Sequence, residues 1–453
     1  MKIVKLSLVA FVVAGLASSS FAASDTLADA FKNGKVTGEL RAWYFDRDTG
    51  NANKATYTAS DVAKGDADIF STGVMLSYVT DSLYGLSLGT TFQSSYSPFA
   101  DNDAKNLYGT DMYGSGAVLS EAYVTYTLGK TTAKVGRQFI ASPLVNSSGS
   151  RMIKEAFQAA VLINTDLPDT TLVAGYSDKF QGRTSDYDRS VDGSDSEMPS
   201  FKKEAVFYGT GTTAGSNVFG FDGAYTAAAI NKSITNLTLT GQYLFVNDVE
   251  FTEGGDANVF YAEGNYVVPL STMKLLFDVT YRGSRTSNET FDSFHVEGDM
   301  YQGRIGFSEL AGFKASFAYS TVSEDQSVLL GAGNGPSTYT APLIKGAEVT
   351  SGANTNAYKV EVGYDFSKVG VAGLKVLGQY AKINQDAHTA GALATVLNGV
   401  AVDTESTYWE AQIAYDLPTI KGLTLSLEYE DGQKETTTTV DSSEMRFRAN
   451  YKF

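Results

Sequence analysis

A closed antiparallel transmembrane β-barrel of about 18 strands, with short turns at one end and long loops at the other, is the all-β fold class that the sequence predicts. Three observations lead to it. Segments in which apolar and polar residues alternate recur along nearly the whole chain, as strands with one apolar face require. Short and long connections alternate between these segments. The chain also ends on such a segment, and its last residue is the aromatic Phe453.

The N-terminal residues predict export. Lys2 and Lys5 form a short basic region, an apolar run follows over residues 6–16, and small residues lead to Ala22. This order is typical of a secretory signal peptide, and the run is short for the alternative, a helical membrane anchor. We therefore expect cleavage of residues 1–22, after which residues 23–453 form a single outer-membrane β-barrel domain.

Composition excludes several other classes of protein. The sequence has 27 Tyr, 26 Phe and 44 Gly but 8 Pro and no Cys, and no segment approaches 18 consecutive apolar residues. A helical membrane protein, disulfides and cysteine zinc sites are therefore excluded. The net charge of −16 argues against nucleic acid as a partner, because nucleic-acid binding needs a basic surface. The aromatic residues suit the girdles of a bacterial outer-membrane barrel.

Period-2 alternation predicts the strands in order. After a short helical lead-in over 26–31, the first strand spans 36–45 and places Glu39, Arg41 and Trp43 on the face opposite to Leu40. The eighth strand has two candidates, 204–212 and 220–229. The remaining strands are predicted over residues 69–79, from 86 onward, 119–128, 132–139, 153–163, 170–178, 237–246, 259–267, 273–282, 300–308, 313–322, 357–366, 374–383, 407–416, 423–430 and 444–453.

The connections supply an independent signal. Short ones are predicted at 129–131, 269–272, 309–312 and 417–422, and long polar ones at 47–68, 95–118, 179–203, 323–356 and 384–406. Outer-membrane barrels have short periplasmic turns and long external loops, whereas a soluble sandwich has no reason to alternate them in step with strand number.

The last strand is expected to pair with the first. An open strand edge in hydrocarbon would leave backbone groups unpaired, so the barrel must close. In residues 445–453 the odd positions are apolar or small and the even positions are polar or charged. Arg446 and Arg448 are therefore predicted on the lumen wall beside Glu39 and Arg41.

Parity on two further strands extends this basic row. Apolar residues at 275, 277, 279 and 281 place Asp278 and Arg282 inward, and apolar residues at 301, 305 and 307 place Arg304 inward. A line of such groups could pass a carboxylate from contact to contact. The alternative is an ordinary polar lumen in which the arginines pair with acids such as Glu39 and Asp278.

The connection between the fifth and sixth strands holds the candidates for a constriction. It mixes apolar and polar residues and would narrow the pore if it folded into the lumen. Arg137 has the parity of the lipid-facing position 135, so its side is left open. Arg137 lies near one end of this segment and Arg151 near the other.

Three segments resemble the OprD-type outer-membrane porins. They are residues 136–152, the opening Gly38-Glu39-Leu40-Arg41 and the final aromatic strand. The resemblance implies an 18-strand barrel narrowed by inward loops and a basic ladder along one wall. On this chain the implied ladder is Arg41, Arg282, Arg304, Arg446 and Arg448, and the implied constriction residues are Arg137, Ser142, Asn146, Ser147 and Arg151. It further implies passive uptake of small water-soluble solutes, often carboxylates. The chain departs from the pattern in one acidic loop, which contains Asp186, Asp188, Asp192, Asp195 and Glu197.

The residues indicate no enzyme. His295 and His388 both fall in predicted external loops, outside any recognisable nucleophile setting. We expect no cofactor and no defined metal motif, although acidic loops could bind divalent ions that bridge to lipopolysaccharide. The expected partners are outer-membrane lipid and lipopolysaccharide, ions and small hydrophilic solutes, and the chain is expected to be a monomer or a trimer.

Two functions are compatible with this pattern. The first is a water-filled channel for passive diffusion of ions and small hydrophilic solutes, with organic acids or amino acids guided by the arginines. The alternative is a surface structural or adhesive barrel whose long acidic loops bind a partner.

Overall fold

The computed structural model describes residues 24–50, 65–109, 111–183, 198–209, 218–250, 254–287, 295–387, 396–397, 400–436 and 439–453. Within these ranges, eighteen antiparallel strands form a closed barrel in which each strand pairs with its neighbours in sequence. The strands are β1 Lys35–Asp48, β2 Asp66–Val79, β3 Leu86–Ser95, β4 Gly116–Leu128, β5 Thr131–Gln138, β6 Ala156–Asn164, β7 Thr170–Gln181, β8 Gly223–Asn231, β9 Leu237–Val249, β10 Gly255–Pro269, β11 Lys274–Thr286, β12 Asp299–Leu310, β13 Phe313–Val322, β14 Thr355–Asp365, β15 Leu374–Gln385, β16 Thr404–Asp416, β17 Leu423–Glu435 and β18 Thr439–Lys452.

The first and last strands close the barrel, as predicted. β1 pairs with β18 from Glu39 opposite Lys452 to Asp48 opposite Ser443. Beyond this ladder, the Gly38 and Phe453 backbones exchange two hydrogen bonds of 3.0 and 3.1 Å. A Cβ on Gly38 would lie 2.4 Å from the Phe453 ring, so this glycine makes room for the terminal aromatic residue.

Each strand has one apolar outer face and one inner face, which confirms the parity assignments on β11 and β12. Val279 and Ile305 are 63% and 57% exposed, whereas Asp278 and Gln302 are buried. Because lipid would cover the outer face, the exposed apolar side chains belong to the bilayer and the buried polar ones to the lumen.

Two short α-helices accompany the barrel in the described ranges, besides the 3₁₀ turns Glu348–Thr350 and Phe366–Val369. The helix α1, Leu27–Lys32, begins after Thr26, whose side chain accepts a hydrogen bond from the Asp29 amide at 3.1 Å. This helix confirms the predicted lead-in. The helix α2, Asn102–Tyr108, lies in the connection between β3 and β4. Neither helix has the length and apolar character that a membrane-spanning helix needs.

The structure resolves the choice of eighth strand and corrects one boundary. β8 corresponds to the second candidate, and Glu204–Tyr208 leaves the wall to pair with Val218–Gly220 and Gly331–Ala332 in a small separate sheet. The sixth strand begins at Ala156 rather than at residue 153, because Ile153 belongs to the connection and is fully buried there.

The long connections at one end of the barrel turn into the lumen. We call residues 139–155, 204–209, 218–222 and 323–354 the inner shelf. Val145 bridges to Ala332 in parallel, and Gly220 bridges to Glu250 at the end of β9. The small separate sheet therefore joins three loops to one another and to the barrel wall.

Candidate functional site

The connection between β5 and β6 folds into the lumen and is attached to opposite parts of the wall. On one side, the Leu144 amide donates to Gln242 Oε1 at 3.0 Å, and Gln242 Nε2 donates to Ser142 Oγ at 2.9 Å. On the other side, Arg41 Nη1 donates to the Met152 carbonyl at 2.9 Å. The segment therefore crosses the barrel interior, where the sequence predicted a constriction.

The connection between β13 and β14 lines a second arc of the wall. Arg282 Nη1 donates to the Leu330 carbonyl at 2.8 Å, and the Tyr339 amide donates to Gln302 Oε1 at 2.8 Å. Farther along, the Lys345 amide donates to Glu430 Oε2 at 2.8 Å. This loop thus contacts strands from β11 to β17. It narrows the part of the lumen that lies on the β11–β17 side of the connection between β5 and β6.

A glycine-rich segment lets the two loops meet backbone to backbone. It runs Gly331-Ala332-Gly333-Asn334-Gly335, and the Ala332 amide donates to the Leu144 carbonyl at 2.8 Å. Gly331 has φ +134°, and a Cβ there would lie 2.2 Å from the Leu144 oxygen. Only glycine allows this close approach. We call the contact between residues 331–335 and the loop 139–155 the clasp; its glycines are specified by the local sequence.

Glu155 ties the same two loops together through its carboxylate. This fully buried group accepts hydrogen bonds from the Ser148 amide at 2.8 Å and from the Asn334 amide at 2.9 Å. Burial raises the pKa of Glu155, and the hydrogen bonds and the nearby Arg183 oppose that rise. The clasp therefore depends on a carboxyl group held in a dry site.

One part of the lumen wall, formed by five of the eighteen strands, is mostly apolar and carries the inner shelf. We call the inward faces of β6–β10 the apolar half. Residues of this half pack with residues of the shelf in one continuous core. The wall supplies Phe157, Ala159, Leu244, Val246, Val249, Ala257, Val259 and Tyr261, and the shelf supplies Leu144, Val145, Ala205, Val206, Phe207, Phe219, Phe221, Leu329 and Ala332. Each large side chain buried this way contributes about 1.5–3 kcal/mol, so the shelf is held by a true hydrophobic core.

A second part of the wall, formed by four strands, is charged and borders an open cavity of about 1120 Å³. We call the inward faces of β16–β18 and β1 the charged half. Among the described residues, the charged side chains that line the cavity are Arg47, Arg151, Arg183, Arg446, Lys202, Lys345, Lys434, Asp48, Asp111, Glu204, Glu348, Glu430 and Glu444. The cavity is thus bounded by shelf residues on one side and by strand residues on the other.

Five of these side chains form a chain of alternating charge. Arg446 Nε donates to Glu444 Oε1 at 2.6 Å, and Glu444 Oε2 accepts from Arg47 Nε at 2.8 Å. Arg47 Nη2 donates in turn to Asp111 Oδ2 at 2.7 Å, and Asp111 also pairs with Arg151. Three guanidinium groups thus share two carboxylates, so the network carries one excess positive charge.

The neighbouring positive charges affect the pKa of Arg151 in particular. Burial lowers the pKa of Arg151 first, and the nearby Arg183, Arg446 and Arg47 lower it further. An anion entering this part of the cavity would relieve that repulsion.

The predicted basic row splits into groups with different surroundings. Arg446 lines the cavity, as described above. Arg41 pairs with Glu39 at 3.3 Å, Arg304 pairs with Asp278 at 2.7 Å, and Arg448 pairs with Glu428. Arg282 is 1% exposed and donates to loop carbonyls. All five lie on inward faces, but pairing with lumen acids, the alternative for this row, accounts for most of their contacts.

The structure brings four of the five constriction candidates together. Ser142, Asn146, Ser147 and Arg151 all lie in the inward loop, where Asn146 Nδ2 donates to the Gly335 carbonyl at 2.8 Å. Arg137 does not join them. It keeps the outward parity of Val135, and its guanidinium lies 4.5 Å from the centroid of the Phe201 ring.

Sequence reasoning missed several charged groups of the cavity. Arg47 shares the inward face of β1 with Arg41, but the predicted strand ended at residue 45, whereas β1 continues to Asp48. Glu444 shares the inward face of β18 with Arg446 and could have been assigned by parity. Asp111 and Arg183 lie in connections, where no periodicity indicates a direction.

The remaining predicted groups are less informative. The His295 ring Nδ1 lies 3.4 Å from Gln326 Nε2, in the connection before β12. His388 and the acidic residues Asp186, Asp188, Asp192, Asp195 and Glu197 lie outside the described residues.

Comparisons with known proteins agree with this architecture. The model of the OprD family, described as outer membrane porin, matches residues 29–212. No curated protein matches the chain.

Several solved structures share the fold over nearly the whole chain. OpdK of Pseudomonas aeruginosa, solved with vanillate, is 13% identical with a TM-score of 0.71, covering 93% of this chain and 99% of its own. OccAB2 of Acinetobacter baumannii is 18% identical with a TM-score of 0.71, covering 94% and 99%. OccK8 (OprE) of Pseudomonas aeruginosa is 17% identical with a TM-score of 0.70, covering 93% and 98%. At such identities the likeness shows the fold.

The family match and the fold together confirm the predicted resemblance to the OprD-type porins. The fold confirms the closed 18-strand barrel. The signal peptide over residues 1–22 stays a prediction.

Proposed function

We propose that this outer-membrane porin lets small hydrophilic solutes diffuse passively and guides those that bear a carboxylate along its charged half. The observation that carries the proposal is the cluster of Arg47, Arg151, Arg183 and Arg446 around one cavity beside the inward loop. A guanidinium presents a planar pair of donors that matches a carboxylate.

The alternating network explains how a solute could be held briefly and then released. Each arginine already has a protein carboxylate as a partner, so a solute carboxylate exchanges one partner for another and gains little net energy. Conduction requires such weak, successive contacts, because a solute that is bound tightly leaves its site too slowly. The excess positive charge of the network favours an anion over a cation in the cavity that the network borders.

The solved relatives give limited support. OpdK was solved with vanillate, a carboxylate, which is consistent with the proposed class of solute. Contacts with lipid and lipopolysaccharide, a monomeric or trimeric state, and the absence of catalysis and of cofactors are part of this proposal.

The adhesive alternative is less favoured by the loops that the structure describes. The connections at 139–155 and 323–354 form hydrogen bonds with the lumen wall and with each other. Loops folded inward in this way offer little surface to an external partner.

Planar-bilayer recording of the refolded full chain tests the proposal. The permeability of butyrate relative to chloride follows from reversal potentials in potassium salts. Arg446→Gln and Arg151→Gln should lower this ratio about three- to ten-fold, since one charge-assisted hydrogen bond is removed from the path. Arg285→Gln is the matched control, because Arg285 pairs with Asp299 on the outer face and its side chain is 46% exposed.

Two outcomes would count against the proposal. Unchanged ratios in both lumen variants would reject guidance by these arginines. Correctly folded protein that shows no stepwise conductance would reject the channel and favour the adhesive barrel.

A further inference from the structure

We propose that Trp43 and Phe45 are positioning residues of the solute path. Their stacked rings hold the guanidinium groups of Arg41, Arg446 and Arg448 at set places on the charged half. This inference rests on the proposed guidance of carboxylates and names side chains that make that guidance selective.

The two rings form a rigid pair on the inward face of β1. Their planes are parallel to within 4°, with centroids 6.0 Å apart. Trp43 is 3% exposed and Phe45 is 0% exposed, so neither ring face is open to a passing solute. Trp43 is further fixed by its indole nitrogen, which donates to Asn450 Oδ1 at 2.8 Å.

Arginines surround this pair. Arg448 lies 4.9 Å from the centroid of Trp43 and 5.0 Å from that of Phe45. Arg41 lies 5.3 Å from Trp43, and Arg446 lies 5.0 Å from Phe45. These separations are within the range in which a cation is attracted to the face of an aromatic ring.

Strand pairing produces this arrangement directly. At the closing seam, Trp43 lies opposite Arg448 and Phe45 lies opposite Arg446. Aromatic residues at alternate positions of β1 therefore face arginines at alternate positions of β18. Large apolar rings are out of place on the inward wall of a water-filled barrel unless neighbouring side chains cover them.

Each guanidinium is thereby restrained in two ways. An acid on the wall takes donors at one edge of the group: Glu39 for Arg41, Glu444 for Arg446 and Glu428 for Arg448. The ring of Trp43 or Phe45 lies against the planar face of the same guanidinium. A guanidinium with both restraints keeps its remaining donors in a constant direction, whereas one held by an acid alone can turn about the ion pair.

A purely structural role is the competing explanation. Both rings also pack with Ile69, Tyr108 and Met152 under the connections. The test must therefore measure something that loss of packing alone would leave unchanged.

The first experiment separates charge from position. Trp43→Leu and Phe45→Leu keep every arginine, so reversal potentials in a potassium chloride gradient and chloride conductance should stay as in the natural chain. The butyrate-to-chloride permeability ratio should fall about two- to five-fold, the size of effect that one cation–π contact gives. Trp43→Phe keeps a ring in place and should restore most of the ratio.

The outcomes distinguish this inference from the proposed function. If Arg446→Gln lowers the ratio while Trp43→Leu and Phe45→Leu leave it unchanged, the aromatic residues are not positioning residues and the proposed function stands. If Arg446→Gln also leaves it unchanged, guidance by the arginines is rejected and this inference falls with it.

A second experiment needs no change at the site. The sequence has two tryptophans, and the other one, Trp409, is 62% exposed on the outer face. Trp409→Phe makes Trp43 the sole indole fluorophore. Potassium butyrate should shift its emission saturably, because a carboxylate bound to the guanidinium groups would change the electric field at the indole. Potassium chloride of equal ionic strength should not shift it. Equal responses to both salts, or none, would overturn the inference even if the leucine variants fail to fold.

Discussion

The two halves of the lumen wall are built from opposite kinds of side chain and are used in opposite ways. On the apolar half, Phe157, Leu244 and Val259 are buried under the inner shelf. On the charged half, Arg446 and Glu444 border the open cavity. An apolar wall facing water would be costly, so the loops that cover it are drawn in by the same residues that they bury.

This difference separates the size of the pore from its selectivity. The apolar half sets the size, because it holds the shelf that occupies part of the lumen. The charged half sets which solutes are favoured, because its groups border the space that the shelf leaves free. Changes on the apolar half should therefore act first on conductance, and on ion preference only as far as they displace Arg151 of the shelf. The arginine changes proposed above should do the reverse.

The largest effect is expected where the apolar core is broken. Leu144 is a fully buried shelf residue. Leu144→Asp would place an unpaired charge in that core, at a cost of about 3–5 kcal/mol. The shelf should detach, and single-channel conductance in potassium chloride should rise severalfold. The butyrate-to-chloride ratio should fall no further than in Arg151→Gln, because Arg151 lies in the shelf and Arg446 stays on the wall.

Leu144→Met is the matched control, since it preserves volume and polarity. A conductance of Leu144→Asp equal to that of this control would show that the core does not hold the shelf. A large change in ion preference without a change in conductance would break the division between the two halves.

A smaller effect is expected at the clasp. Gly331→Ala would bring a Cβ within 2.2 Å of the Leu144 oxygen, at a φ of +134° that an L side chain rarely adopts. The strain, about 1–3 kcal/mol, should separate the two loops without unfolding the core. Single-channel traces should show added open-state fluctuations and a moderate rise in conductance.

Gly182→Ala provides the comparison, because a Cβ there would meet nothing within 4 Å. Traces of Gly331→Ala that match those of Gly182→Ala would show that the close approach at residue 331 does not hold the loops together.

The smallest effect concerns pH and Glu155. Because burial raises the pKa of Glu155, the folded state holds this proton more tightly than the unfolded chain does. Its contribution to stability is therefore full below the unfolded pKa of about 4.5 and is lost as pH rises through the folded pKa.

Glu155→Gln should remove that part of the pH dependence, because the amide oxygen still accepts the Ser148 and Asn334 hydrogen bonds but does not titrate. The measurement is the temperature at which the barrel unfolds on a gel, taken between acidic and neutral pH. Glu309→Gln is a control at an exposed acid, which pairs with the exposed Lys274. Identical pH profiles for Glu155→Gln and the natural chain would remove Glu155 from this role.

The strands of the barrel wall and the direction of their side chains could be predicted closely. The contacts that the inward side chains make with distant loops could not. Parity placed Asp278 and Arg304 inward correctly, and the two pair there. It also placed Arg282 inward, but the structure shows that its guanidinium donates to the carbonyls of Leu330 and Ser337. Alternation gives the direction of a side chain and carries no information about which distant loop will reach it.

The two candidates for the eighth strand show the same limit. Residues 204–208 and 223–231 both form strands, so local preference was right for each. The second joins the wall beside β7, while the first pairs with a segment more than a hundred residues away, at Gly331–Ala332. Competition between distant partners decides such a case.

By itself the sequence determined the strands, their two faces, the turns between them and the closure of β1 on β18. These features depend on side-chain alternation with a period of two and on backbone pairing, both of which are local or forced by the bilayer. The tertiary structure alone decided that loops fold over the apolar half and leave Arg47, Arg151 and Arg446 around the cavity. The physical reason is that these contacts join residues far apart in the chain, where burial of apolar surface and pairing of polar groups are settled only when the whole barrel is assembled.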